Sequence, residues 1–260
     1  MKTPIKRYVV LPDLHGKYVS MPALACATRA IEVVKPTGVI LLGDVGEFEH
    51  AGHWQWKKKR RPPLEYQLPL VDQDIEDTLR SLDIIDESCD KANVKDKHLT
   101  GGNHDDWLDR LVEENPYLTE YLFKEAMGLK ERGYKFHQLG ELLKIGKLYY
   151  YHGHLHGGKY HANNHLTKMG CNVLYGHWHD IQQSSVTHVD GAKSAWSIGC
   201  LKRMDRRSNE WLGGRQHNWG HAFAVVDYFS GGLFTVNVIN IINGKCSLWG
   251  TLLNGNRGKR

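Results

Sequence analysis

Several short apolar runs in this chain end on clusters of Asp, Asn or His set among glycines, and this repeated pattern limits the folds open to it. Residues 7–12 (RYVVLP) run into Asp13-Leu14-His15-Gly16, and residues 39–42 into Gly43-Asp44. Residues 98–100 lead to Gly101-Gly102-Asn103-His104-Asp105, residues 148–151 to His152-Gly153-His154, and residues 172–175 to Gly176-His177-Trp178-His179. Short apolar runs bounded by turn residues read as buried strands. A chain that puts polar groups just past such strands is built for a site at the carboxyl ends of a sheet, the usual position in α/β folds.

The remaining pattern agrees. Residues 21–34 have helical spacing and stop at Pro36, so the first third reads strand, helix, strand. Residues 45–69 form an irregular insert with His50, His53, Trp54, Trp56, the run Lys57-Lys58-Lys59-Arg60-Arg61 and Pro62-Pro63, a candidate lid or substrate-binding loop. An acidic helix is expected over 71–93, and a helical stretch over 107–127 with a break near Asn115-Pro116. From Tyr134 the chain turns β-rich. A short helix is expected over 160–169, stopped by Gly170, with further strands over 181–188, 193–198, 221–228 and 233–239. Residues 199–220 read as a long loop rich in Arg, Trp and Gly, and the basic tail 256–260 as frayed. With no internal repeat and no clear linker, residues 1–260 are expected to form one domain.

Composition excludes several classes. Hydrophobic residues are 41% and charged residues 24%, as in ordinary globular protein. No run approaches the ~18 apolar residues of a membrane span, and residues 8–11 are too short for the core of a signal peptide. The expectation is an intracellular protein without membrane contact. Five cysteines (Cys26, Cys89, Cys171, Cys200, Cys246) are scattered without a CxxC pair, so they read as small buried hydrophobes rather than disulfides. A net charge of +5 suits a polyanionic partner. The 16 histidines, many in clusters, call for a metal before anything else.

Each polar block is weak alone. Asp-x-His occurs in surface loops, Gly-Asp is a common turn, Asn103 or Asp105 could cap the helix that follows, and His-Gly-His could be a polar turn. Five blocks at five strand ends are a constellation. Their oxygen and imidazole donors suit Mn, Fe, Zn or Ni. The basic-aromatic segments 54–61 and 202–219 (Lys202, Arg203, Arg206, Arg207, Trp211, Arg215, Trp219) fit either nucleic-acid binding or a solvated charged face beside core tryptophans.

Taken in order, Asp13-x-His15, Gly43-Asp44, Gly102-Asn103-His104-Asp105, His152-Gly and Gly176-His177-x-His179 resemble the calcineurin-like metallophosphoesterase superfamily. The later stretch, with Ser197-Ile198-Gly199-Cys200 and Asn218-Trp219, is more loosely similar to its phage and bacterial members. The resemblance implies a four-layer α/β/β/α sandwich with two mixed sheets, and two divalent metal ions, Mn first among them. It implies that Asp13, His15 and His179 hold one ion, that Asn103, His152 and His177 hold the other, and that Asp44 bridges them. Attack by a metal-bridging hydroxide on phosphorus would follow, with His104 protonating the leaving oxygen and Asp105 orienting His104. His154 would line the pocket, Glu47 would stand behind the ligands, and Lys57, Lys58, Lys59, Arg60 and Arg61 are candidates for contacting substrate. His156, His161 and His165 read as solvated polar residues. The expected substrate is a phosphodiester of nucleic acid or a nucleotide. A phosphomonoester, or a metal-containing binding protein without activity, are the alternatives, and oligomeric state is open.

Overall fold

The computed structural model describes residues 5–57 and 59–256, so Lys58 and the tail from 257 lie outside the described residues. The first sheet has six strands. In chain order these are β1 (Lys6–Leu11), β2 (Gly38–Leu41), β3 (Asp96–Thr100), β4 (Tyr134–His137), and, after five strands of the second sheet, β10 (Ala222–Tyr228) and β11 (Phe234–Asn240). They lie in the order β11-β10-β1-β2-β3-β4. β1 to β4 run parallel, and β10 and β11 complete the sheet antiparallel. The second sheet, β5-β6-β7-β9-β8, is built from β5 (Leu143–Ile145), β6 (Leu148–Tyr151), β7 (Val173–Tyr175), β8 (Ile181–His188) and β9 (Gly191–Ile198), with β6, β7 and β9 parallel. A small hairpin, β12 (Lys245–Leu248) with β13 (Thr251–Asn254), packs beside the first helix.

The period-2 alternation of the strands creates the layers. Val9 and Leu11 of β1, Val39 and Leu41 of β2 and Phe223 and Val225 of β10 face one way, into a core shared with the helices α1 (Met21–Val34), α2 (Leu64–Lys91) and α3 (Asp106–Glu114). Their neighbours Tyr8, Val10, Ile40, Ala224 and Val226 face the other way and meet Leu148, Tyr150, Leu174 and Ile198 of the second sheet. Inside that apolar layer the hydroxyls of Tyr150 and Tyr228 satisfy one another at 2.6 Å. On the far face of the second sheet, Tyr151, Val173 and Tyr175 pack on Leu166 of α5 (His161–Met169), which ends at Gly170 with φ 62°. The result is helix, sheet, sheet, helix, the expected sandwich.

One expectation needs correcting. The irregular insert is shorter than 45–69, because α2 already begins at Leu64 and runs through Pro69. Proline lacks the N–H for one helical bond. Gln67 anchors this first part of the helix, donating to the His50 carbonyl and accepting from Arg61. The stretch 107–127 has the expected break: α3 ends at Glu114, before Asn115-Pro116, and a 3-10 turn at Thr119–Tyr121 and α4 (Phe123–Ala126) follow. Among the described residues no helix is long and apolar enough to cross a membrane.

Because β1, β2 and β3 are parallel, Asp13, Asp44 and Asn103 emerge at one edge of the first sheet. Because β6 and β7 are parallel, His152 and His177 emerge at the matching edge of the second. The two edges join directly: Nδ1 of His152 donates to the Leu42 carbonyl at 2.8 Å, and the His177 amide donates to the Asp13 carboxylate at 3.0 Å.

Candidate metal centre

The backbone at this pole is held in conformations that most residues avoid. Asp13, His15, Asp44, His177 and His179 all have positive φ, between 42° and 67°. Left-handed non-glycine residues are uncommon, and they cluster where structure is constrained for a purpose. Glycines make room for this packing. A methyl group at Gly102 would overlap the main chain and carboxylate of Asp44, and one at Gly176 would overlap the Asp13 carboxylate. Gly102→Ala is therefore expected to displace Asp44, costing ~1–3 kcal/mol of stability. It should also lower the metal content read by elemental analysis, whereas Gly140→Ala, which strains a backbone at φ 89° but meets nothing within 4 Å, should cost stability and leave metal content unchanged.

The donors converge in two groups that a third, His15, Asp44 and His104, overlaps. In the first, Asp13, His15 and His179 bring their ligand atoms within 4.8 Å of one another. Nε2 of His15 and Nε2 of His179 are 3.0 Å apart, and Nε2 of His179 is 3.4 Å from the Asp13 carboxylate. Nδ1 of His15 lies 2.8 Å from Oε2 of Glu47 and can only donate to that carboxylate, so Nε2 of the neutral ring presents its lone pair. In the second group, Nε2 of His152 faces Oδ1 of Asn103 at 3.0 Å, Nδ1 of His177 at 3.0 Å and Oδ2 of Asp44 at 3.2 Å. Nδ1 of His152 is the atom that donates to Leu42, so Nε2 is the nitrogen left to face these oxygen and nitrogen atoms. Asp44 stands between the groups, with Oδ2 also 3.9 Å from Nε2 of His15.

A set of lone pairs aimed at one another is repulsive unless a cation lies among them, and a hydrogen-bonded second nitrogen on each ring is the usual way a ligating imidazole is oriented. The electrostatics favour the unprotonated state at most donors. Burial, with help from the Lys202 charge, pushes His15 down to about 3, and burial with the His152 charge pushes His177 to about 2. Burial alone would raise the Asp44 carboxyl, but His152, His104 and His15 outweigh it and hold the group well below its ordinary value. His152 goes the other way. Burial lowers it, but the Asp44 and Asp13 carboxylates prevail and lift it to about 9. The residues present thus fit two divalent cations, one in each group, with His152 the imidazole that must shed a proton to bind.

His104 sits beside both groups. Its amide donates to Oδ1 of Asp44 at 2.8 Å, its Nδ1 donates to the Glu47 carbonyl at 2.8 Å, and its ring packs on Trp107 with centroids 4.0 Å apart. The orientation expected from Asp105 is thus supplied by Glu47. Asp105 is buried and accepts instead from the amides of Gly102, Val45 and Gly46, pinning the turns that carry Asn103 and Asp44 to one another. It occupies the N-cap position of α3 but makes no side-chain bond to the start of the helix. Burial and the Asp44 charge push its carboxyl up to about 8 against those amides.

Several partners were hidden from the sequence. Lys202, read as part of a basic surface loop, is 2% exposed and donates to Oε2 of Glu47 at 2.9 Å. His161 and His165 are buried rather than solvated. His161 donates through Nε2 to Asp180 at 2.7 Å and its Nδ1 accepts from the Tyr175 hydroxyl at 2.8 Å, while His165 stacks on Tyr175 at 3.8 Å. This ties α5 to the loop bearing His177 and His179. His154 lies 6.2 Å from His152, ring to ring, lining the second group. The basic run is divided. Lys57 lies over the Trp54 ring at 3.2 Å, Lys59 and Arg60 are exposed, and Arg61 is tied to Glu114, Gln67 and the Ala51 carbonyl.

No protein-family model matches the chain, and no curated protein matches it. Among solved structures, Vps29 from Chaetomium thermophilum aligns at 12% identity with a TM-score of 0.44, covering 92% of each chain. YfcE, a phosphoesterase from E. coli, aligns at 13% identity with a TM-score of 0.42, covering 89% of this chain and 98% of its own. TT1561 of Thermus thermophilus aligns at 11% identity with a TM-score of 0.36, covering 90% and 99%. On its own residues, the chain gathers its ordered Asp, Asn and His blocks at one pole of a sandwich of two mixed sheets.

Proposed function

We propose that the chain is a phosphoesterase dependent on two divalent cations, acting on phosphodiesters of nucleotides or nucleic acid. The observation that carries this reading is the meeting of two groups of Asp, Asn and His donors on the shared carboxylate of Asp44, with His104 beside them. Asp13, His15 and His179 would hold one cation and Asn103, His152 and His177 the other, with Asp44 serving both. When bound, such a pair supplies Lewis acidity: it lowers the pKa of a shared water and neutralises charge on a phosphoryl group.

The chain's own residues do the rest. Asn103 offers a neutral oxygen, which keeps the pole from repelling an anion. The Glu47 carbonyl holds the His104 ring by Nδ1, so Nε2 is the nitrogen left to give a proton. As the phosphorus–oxygen bond to the leaving group breaks, that proton passes to the departing oxygen and water supplies the new oxygen on phosphorus. The preference for a diester of nucleotide type is supported by the cationic and aromatic side chains of the loop after β9.

Hydrolysis of bis(p-nitrophenyl) phosphate and of p-nitrophenyl phosphate, with Mn²⁺ and with EDTA, tests the proposal. Diester turnover that EDTA abolishes and Mn²⁺ restores is the expected result. Turnover of the monoester alone would replace the diesterase with a phosphatase. Turnover of neither, with both cations bound, would leave a metal-containing binding protein in its place.

A further inference from the structure

The loop between β9 and β10 ends in a row of aromatic rings that starts on a metal-site residue. The Trp219 ring lies 4.5 Å from that of His179 at an interplanar angle of 70°. The His217 ring lies 4.5 Å from Trp219 at 34°, and Trp211 lies 6.1 Å from it at 40°. Trp211 is 63% exposed and His217 is also exposed.

This ledge is fixed to the site. Trp219 pairs as a β-bridge with Asp180, the residue after His179, and the Gly220 amide donates to the His179 carbonyl at 2.9 Å. Farther along, buried Asn209 donates to the carbonyls of Arg203 and Asp205, and Ser208 donates twice to the Asp205 carboxylate. The stretch that presents the rings carries Arg203, Arg206, Arg207 and Arg215 against only Asp205 and Glu210, so its surface is cationic.

Planar rings on a loop that also carries cations, adjoining a site for a phosphoryl group, match the two halves of a nucleotide: a flat base that stacks and a phosphate that pairs with charge. We infer that Trp219, Trp211 and His217 form a subsite that stacks a nucleobase of the phosphoester held at the metal centre, an inference that rests on the phosphoesterase reading for the group next to the base. Because every base has a π-face, such a subsite discriminates little between bases. It does distinguish a nucleotide or an unpaired strand from a phosphoester without a base. A duplex, whose bases already stack on one another, has no free face to offer.

The test compares binding of a fluorescein-labelled single-stranded oligonucleotide with that of the same strand made abasic, both in EDTA so that no hydrolysis intervenes. The wild-type chain is expected to bind the intact strand roughly tenfold more tightly, the size of one or two stacking contacts. In Trp211→Ala/His217→Ala the ratio should fall toward one. Trp249→Ala removes an exposed tryptophan that pairs with Arg7, at the opposite end of β1 from Asp13, and should keep the full ratio. Competition by AMP but not by ribose 5-phosphate would identify a mononucleotide as the ligand; a base preference seen only with the strand would identify nucleic acid. Equal binding of intact and abasic strands by the wild type, or an equal loss in Trp249→Ala, would overturn the inference. Mn²⁺-dependent turnover of methyl p-nitrophenyl phosphate is followed separately. Its absence beside an intact base preference would remove the phosphoesterase reading and leave the ledge standing.

Discussion

His104→Ala is expected to lower diester turnover by roughly 10²–10⁴-fold while leaving two cations bound per chain. The first half follows from removing a proton donor, and the second from how His104 is attached. Its main-chain amide, which alanine retains, is what holds Asp44, and its Nδ1 is committed to the Glu47 carbonyl. A ring nitrogen of His104 lies within 4.8 Å of donor atoms of His15 and Asp44, so metal content is the deciding measurement. A variant that loses a cation would make His104 a ligand and leave the reaction without this donor. The leaving group adds a second criterion. p-Nitrophenolate departs without a proton, whereas an alkoxide such as a nucleoside hydroxyl needs one, so the loss should be larger for the nucleoside ester. An equal loss for both would mean that His104 binds the phosphoryl group instead of protonating the product.

The sequence made the strand ends legible because two signals coincide there. The apolar runs of β1, β2, β6 and β7 are buried on both faces, and each stops where a polar block begins, while β3, mostly polar in sequence, is buried from Lys97 to Thr100 and ends in the same way. Parallel pairing then brings blocks far apart in the chain to one pole, which is why local readings of Asp13, Asp44, Asn103, His152 and His177 add up to a site. What the sequence hid is whatever depends on a neighbour. Pro69 marks a stop by propensity, yet α2 begins before it because packing outweighs one missing bond. Lys202 has nothing in its surroundings to distinguish it from the nearby arginines, and only the position of Glu47 explains its burial. His161 and His165 lie on a short polar helix whose buried face becomes evident only once Tyr175 and Asp180 are beside it. Sequence reading therefore finds ligands more readily than the residues that hold them.

Lys202→Met is expected to be among the most damaging substitutions outside the ligand set, costing ~3–5 kcal/mol, because it leaves a buried carboxylate without its cation. Glu47 accepts from both His15 and Lys202 on Oε2 while its carbonyl holds His104. Burial would raise the Glu47 carboxyl, but His15, His104 and Lys202 outweigh it and keep the group ionised. With methionine at 202 the aliphatic volume is conserved and the charge is not, so the loss measures electrostatics rather than a cavity. Glu47→Gln alone strands the lysine in the same way. The double variant restores neutrality, and the two losses should fail to add by ~1–3 kcal/mol in denaturant unfolding of the metal-free chain. Metal affinity then separates the two roles of Glu47. Glu47→Gln, with or without Lys202→Met, weakens the acceptor that orients His15, and removing such a partner lowers affinity by roughly 10–100-fold. Additive losses in stability would show that Glu47 and Lys202 do not act as a pair. Full metal affinity in both Glu47 variants would show that the Asp13–His179 side of the pole fixes the cation without help from Glu47.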